Sequence, residues 1–384
     1  MTKPKAPKRG PASWTNWQAH DPDGAREMRE VALYSDSSVA GYLRRPDWPL
    51  DLISTFARPG SSFPLVARIR WYGATTPLDL DNPEITTSDD AYHGGDDADE
   101  VAALLSLALG IRCRSGGVTR NWWTRPDDGQ DYDELGYPDE SDHRPPAMPP
   151  PLHRRGRVLP RLPDEVNVAD AQELLSLYGQ MEAGRASLLV QAARQYANAL
   201  WAAESDPNQA WLHLVSAVEV VSSDIKLVKP LWQRLETAWP ELWGLLKDVK
   251  PEQQRNAIGD LLAPDVRVTG QFVQFLMARL APPPAARATE DADESTTARV
   301  DWDKMAAHLQ RIYRYRSRAL HAGRPFPLPM CEPPIEWGEV PGEQPSFHGT
   351  WTQNASWAKE DVPMYLHLFE YLVRHALLTW WGES

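Results

Sequence analysis

A chain of 384 residues with 42% hydrophobic content is long enough for two or three domains and can bury a core in each. Its formal charge of -13 excludes indiscriminate coating of nucleic acid, because a net negative surface repels phosphate unless cations are focused locally. No apolar run approaches a membrane span, and the two cysteines, Cys113 and Cys331, lie too far apart to form a metal-ligand spacing, which fits a reducing cytoplasm.

The basic start, Met1 to Arg9, has no apolar segment behind it and is not a secretory signal. Residues 1–30 read as a flexible arm, and residues 31–142 as an α+β domain of unassigned role. Its clearest strand is Leu65 to Tyr72, where Val66, Arg68 and Arg70 alternate with Ala67, Ile69 and Trp71 at the period of a half-buried strand. The acidic stretch Asp79 to Glu100, broken by Pro83 and Gly94-Gly95, keeps no calcium-loop spacing and reads as a solvated loop. Val101 to Gly110 predicts a compact apolar helix, and Ile111 to Arg120 a strand with a turn at Gly116-Gly117. Residues 143–167, with Pro145-Pro146 and Pro149-Pro150-Pro151, read as a linker.

From Val168 the pattern turns helical, and residues 168–384 read as an α-helical bundle with a loop insertion near 282–298. Leu174, Leu175, Tyr178 and Met181 make one apolar face; Leu188, Leu189, Ala192, Tyr196 and Leu200 make another. After Pro207, Leu212 and Val215 lie on a stripe that Glu219 continues, and a carboxylate there is costly to bury alone. Leu231 to Lys247 predicts a Trp-rich helical pair kinked at Pro240, and Gln271 to Leu280 an amphipathic helix. A last helix is expected from Asp361 to Trp381, where His367 and His375 are too far apart in rotation to be a ligand pair. The seventeen Trp fall in helical runs or beside turn residues and read as packing.

One segment concentrates chemistry. Trp302, Met305, Ala306, Leu309, Ile312, Tyr313 and Leu320 recur at helical steps, with Arg316 in the same stripe. Arg314, Ser317, Arg318 and His321 project from a neighbouring face, and Gly323 and Pro325 give the stop signals. From Lys304 to Arg324 there is no acid, a local cationic excess that suits an anionic ligand such as RNA. The parallel placement of Glu219 and Arg316 on two apolar stripes predicts that they meet between the two helices.

At Arg316, Ser317 and His321, with Tyr313 upstream and Ala322-Gly323 after, the sequence resembles the HEPN superfamily, and within it the ApeA-like HEPN domains. Their mark is an Arg, a polar residue beside it and a His a few residues on; Ser317 stands where Asn is commonest. The run Ser205 to Val221, preceded by Ser187 to Glu204, resembles the helical hairpin that opens such a domain, Glu219 included. The resemblance covers roughly the C-terminal half. It implies an α+β N-terminal domain followed by a mainly α-helical HEPN-like bundle, and metal-independent endoribonuclease activity with no cofactor. It further implies a cytoplasmic homodimer acting on tRNA or another structured RNA, with a link to defence against phage.

The residues permit that chemistry. RNA carries its own nucleophile, the 2′-hydroxyl, so scission needs only a base, an acid and a cation. His321 is the proton-transfer candidate, Arg316 the phosphate holder and Ser317 a hydrogen-bond donor to phosphate or to His321. Glu219 and Tyr313 support the site, and Arg314 and Arg318 bind RNA. Pairing two subunits would bring a second His321. The competing readings are a catalytically inactive dimerising or partner-binding module, in which Arg314 and Arg318 form a solvated cationic face and His321 answers the helix dipole, and a sensor gated by the N-terminal half.

Overall fold

The computed structural model describes residues 10–21, 24, 27–55, 64–72, 95–123, 137–138, 144, 155–223, 225–227, 232, 236, 240–250, 252–287, 299–337, 339–345, 352 and 354–383. The chain divides into two compact units: residues 1–150, 162–201 and 381–384 form one, and residues 151–161 and 202–380 the other.

The first unit is built on a six-stranded sheet, β3-β4-β5-β1-β6-β7, whose neighbouring strands are antiparallel. These strands are β1 (Glu27–Tyr34), β3 (Tyr42–Leu43), β4 (Leu50–Ser54), β5 (Leu65–Trp71), β6 (Arg114–Trp123) and β7 (Tyr137–Pro138). In β5 the predicted alternation holds: Leu65, Ala67 and Ile69 are buried while Val66, Arg68 and Arg70 are half-buried. A short parallel pair joins β2 (Ser38–Ala40) to β8 (Glu165–Asn167). Four helices complete the unit: α1 (Ala12–Gln18), α2 (Asp97–Leu109), α3 (Gln172–Gln180) and α4 (Ala183–Ala202).

Several expectations for this half need correction. The arm contains α1, which is docked: Glu100 accepts from the backbone N–H of Ala12 at 3.2 Å and of Ser13 at 2.7 Å, and Ser13 Oγ lies 2.7 Å from Tyr178 Oη. The end of the acidic stretch is the start of α2 and not a loop, because Asp96 and Asp99 form a reciprocal capping box over its free N–H groups. The rest of that stretch, residues 79–94, lies outside the described residues. Gly116-Gly117 is no turn: β6 runs straight through it with register shifts, Gly117 takes φ +80°, and a Cβ on Gly116 would sit 2.2 Å from Tyr34. The boundary also moves. Helices α3 and α4 group with the sheet, and the tail of the Pro-rich segment groups with the helical unit, where Val158 and Leu159 are buried and held by Glu204 through their backbone N–H groups.

The second unit holds α5 (Pro207–Ser222), α6 (Pro240–Leu246), α7 (Glu252–Ala278), α8 (Met305–Ala322), α9 (Leu328–Cys331) and α10 (Leu366–Gly382), with a two-stranded hairpin of β9 (Glu336–Trp337) and β10 (Val340–Pro341). Its core is aromatic: Trp211 of α5 stacks on Phe369 at 4.8 Å and on Phe326 at 5.2 Å. The helix expected from Gln271 begins far earlier, at Glu252, and runs through Pro264. Pro240 opens α6 instead of kinking a longer helix, which suits a residue lacking the N–H that a first helical turn leaves unused. The start of the 282–298 insertion is pinned by Arg287, which donates to Glu343 through Nε and Nη2, both at 2.6 Å, with Glu343 fully buried; residues 288–298 lie outside the described residues. The last helix starts at Leu366, and Tyr365 is buried just before it.

Candidate functional site

Helix α8 starts from a 3-10 turn, Trp302–Lys304, in which the Asp301 side chain accepts from the Asp303 N–H at 3.1 Å. It ends at Gly323, whose φ of +60° lets the Gly323 N–H turn back to the Arg318 carbonyl. Between these caps Met305, Leu309, Ile312, Tyr313 and Tyr315 are buried, so the predicted stripe is the packed face. Leu320 departs from it. It is 52% exposed, because packing against the bundle stops at Arg316 and the last turn stands clear of it.

Helix α5 begins at Asp206, which accepts from the Gln209 N–H at 3.1 Å, with Pro207 in the first turn. It buries Ala210, Trp211, Leu214, Val215, Ala217 and Val218, leaving Glu219 at the edge of the packed face. Glu219 meets α8 as expected. Arg316 Nη2 donates to Glu219 Oε2 at 2.6 Å, and Tyr313 Oη donates to Glu219 Oε1 at 2.6 Å. Both oxygens of one carboxylate are thus occupied from one helix, by groups three residues apart on adjoining faces. The Arg316 guanidinium also lies over the Tyr313 ring at 5.6 Å, and Tyr313 in turn packs on Phe272 of α7 at 5.2 Å. Arg316 Nε is buried with no partner, so the group is held from one side only.

The remaining motif residues stand on the open side. Arg314, Arg318 and His321 are exposed and Ser317 is half-buried. Arg318 lies over the Tyr315 ring at 5.6 Å, while Tyr315 Oη donates to the Asp361 carbonyl at 2.6 Å and Arg311 pairs with the Asp361 carboxylate. Burial raises the Tyr315 phenol above its ordinary value. His321 makes no hydrogen bond or ion pair among the described residues. Five residues separate it from Arg316, which at about 100° per residue leaves the two about 140° apart around the helix. The structure therefore brings Arg316, Tyr313 and Glu219 together, and places Ser317 and His321, about 40° apart, on the neighbouring face.

Sequence reasoning missed Asn208, whose Oδ1 accepts from the Phe326 N–H at 2.9 Å and so ties the exit of α8 to the start of α5. No periodic signal marks such a contact, since it joins a first helical turn to a Pro-rich loop. Among the described residues no three His, Cys, Asp or Glu side chains gather as metal ligands, and no helix is long and apolar enough to cross a membrane. No protein-family model, curated protein or solved structure matches this chain.

Proposed function

We propose that the helical unit is an endoribonuclease of the HEPN type, cleaving RNA without a metal through attack of the 2′-hydroxyl on the adjacent phosphorus. The observation that carries this reading is the Arg316 guanidinium, fixed by Glu219 beside an acid-free, exposed helix end that presents Arg314, Ser317, Arg318 and His321. A guanidinium offers paired donors to phosphate oxygens and answers the charge that builds as phosphorus becomes five-coordinate. Glu219 positions it. Ser317 supplies a hydroxyl within one turn of His321, and His321 transfers protons near neutral pH. Arg314 and Arg318 attract the strand electrostatically in a chain whose overall charge is -13, which confines binding to this face.

The family resemblance at these residues extends the proposal to a cytoplasmic homodimer acting on tRNA or another structured RNA, in a defensive or toxin-like role. A second reading is favoured by one observation: Leu320, 52% exposed among the motif cations, suits a helix face that docks another protein without doing chemistry. Incubating the purified chain with tRNA and with total RNA, with and without EDTA, separates the two. The ribonuclease reading expects fragments ending in 2′,3′-cyclic phosphate in both conditions. Intact RNA in both, with a dimer in solution, supports the docking module.

A further inference from the structure

Cleavage by 2′-hydroxyl attack needs both a proton acceptor and a proton donor, and the motif helix offers one histidine. The source of the second is written in the register of α5 against α8. The contacts of Glu219 with Tyr313 and Arg316, and of Asn208 with Phe326, run in opposite directions along the two helices, so the pair is antiparallel. His213 lies six residues before Glu219, a rise of about 9 Å, and His321 lies five residues after Arg316, about 7.5 Å, so the two histidines stand level to within about one residue.

Rotation agrees. His213 is about 120° round α5 from Glu219, and His321 about 140° round α8 from Arg316; because the helices run oppositely, both turns lead to the same, solvent side of the seam. Burial confirms that side for α5: Gln209 is exposed and His213, Ser216 and Val220 are half-buried, while Trp211 and Leu214 are buried away from it. Gln209, one turn from His213 on this face, places its Nε2 at 3.2 Å from His213 Nε2 and steadies the ring.

We infer that His213 is the second proton-transfer group of the site, held in the same chain as His321. This assignment rests on the ribonuclease reading above. His213 takes the 2′-hydroxyl proton as the 2′-oxygen bonds to phosphorus; the P–O5′ bond breaks and His321, protonated, gives its proton to the leaving 5′-oxygen. One proton is gained at His213 and one lost at His321, and the products are a 2′,3′-cyclic phosphate and a 5′-hydroxyl. Burial lowers the His213 imidazole from its ordinary value, with Asp206 opposing, which favours the neutral, proton-accepting form. The other charged or titratable groups at this end of the pair are His321 and Arg324 from α8 and its exit, and Glu332 beyond α9.

The test follows cyclic-phosphate release from a single-stranded RNA oligonucleotide between about pH 5 and 9, the range over which imidazoles titrate. The expected result is that His213→Gln slows cleavage about 100-fold or more, with the acidic limb of the pH profile lost and the melting temperature unchanged. Free imidazole restores part of the rate to His213→Ala, and His375→Gln cleaves as the wild type does. Wild-type rate and profile in His213→Gln, or a folded His213→Ala that imidazole does not rescue, overturns the assignment alone and returns the role to a second copy's His321. A wild-type chain that leaves the RNA intact overturns the ribonuclease reading and this assignment with it.

Discussion

Glu219 carries more of the site than its half-buried position suggests. Its side chain is 16% exposed and that of Arg316 is 20%, so truncating the carboxylate leaves a mostly desolvated guanidinium with Nε already unpartnered. Glu219→Ala is expected to lower stability by about 3 kcal/mol, as when one half of a largely buried pair is removed. Tyr313→Phe, which loses one hydrogen bond to that carboxylate, should cost about 1.5 kcal/mol. In urea melts the two changes should fall short of additivity, because they share a partner; fully additive losses would show that Tyr313 and Arg316 do not act through Glu219. This pair was legible in the sequence, since a charge of each sign sat on an otherwise apolar helical stripe and each had to be neutralised inside the bundle. Leu320 was not, because periodicity reports which residues share a face and is silent on where the neighbouring helix stops covering it.

At the scale of elements, the helix ends were readable and the closures between segments were not. Gly323 was identifiable as the stop of α8, and a Cβ there would meet nothing within 4 Å, so the cost of Gly323→Ala is purely conformational. The change should lower the melting temperature by an amount equivalent to about 1 kcal/mol, the penalty for a left-handed alanine; no shift would mean that the last turn, and His321 with it, is not ordered by this cap. Helix α1 was read as part of a loose arm because its seven residues carry no apolar period; what holds it is a carboxylate from α2, invisible to local pattern. Burial pushes the Glu100 carboxyl up to about 7, its hydrogen bonds to Ser13 and Ala12 opposing, and pushes Asp97 up to about 6 despite Arg29. With the folded value above the ordinary one, the folded state binds the proton more tightly. The stabilisation is therefore fully present below about pH 4.5 and is lost as pH rises to about 7, on the order of 3 kcal/mol for Glu100. Melts of the wild type between those values should show stability falling with pH, and Glu100→Gln should flatten the slope; a stability that rises with pH would contradict the burial of Glu100.

For the whole molecule, an antiparallel sheet region followed by a mostly helical region was foreseeable from the switch between a two-residue and a helical period. The partition into compact units was not. Composition placed the boundary in the Pro-rich stretch, but apolar side chains decide grouping: Tyr178, Tyr196 and Leu200 belong to the sheet-containing unit, and Val158 and Leu159 to the helical one. The functional reading depends on a contrast at this same scale, a chain of net charge -13 whose one acid-free segment ends in an exposed imidazole. His321 makes no contact that folding needs, so it isolates chemistry from stability. The most direct measurement is the rate of tRNA cleavage by His321→Ala beside its melting temperature. The account predicts a loss of about 100-fold or more with the melting temperature unchanged; cleavage at the wild-type rate by the folded variant would contradict it.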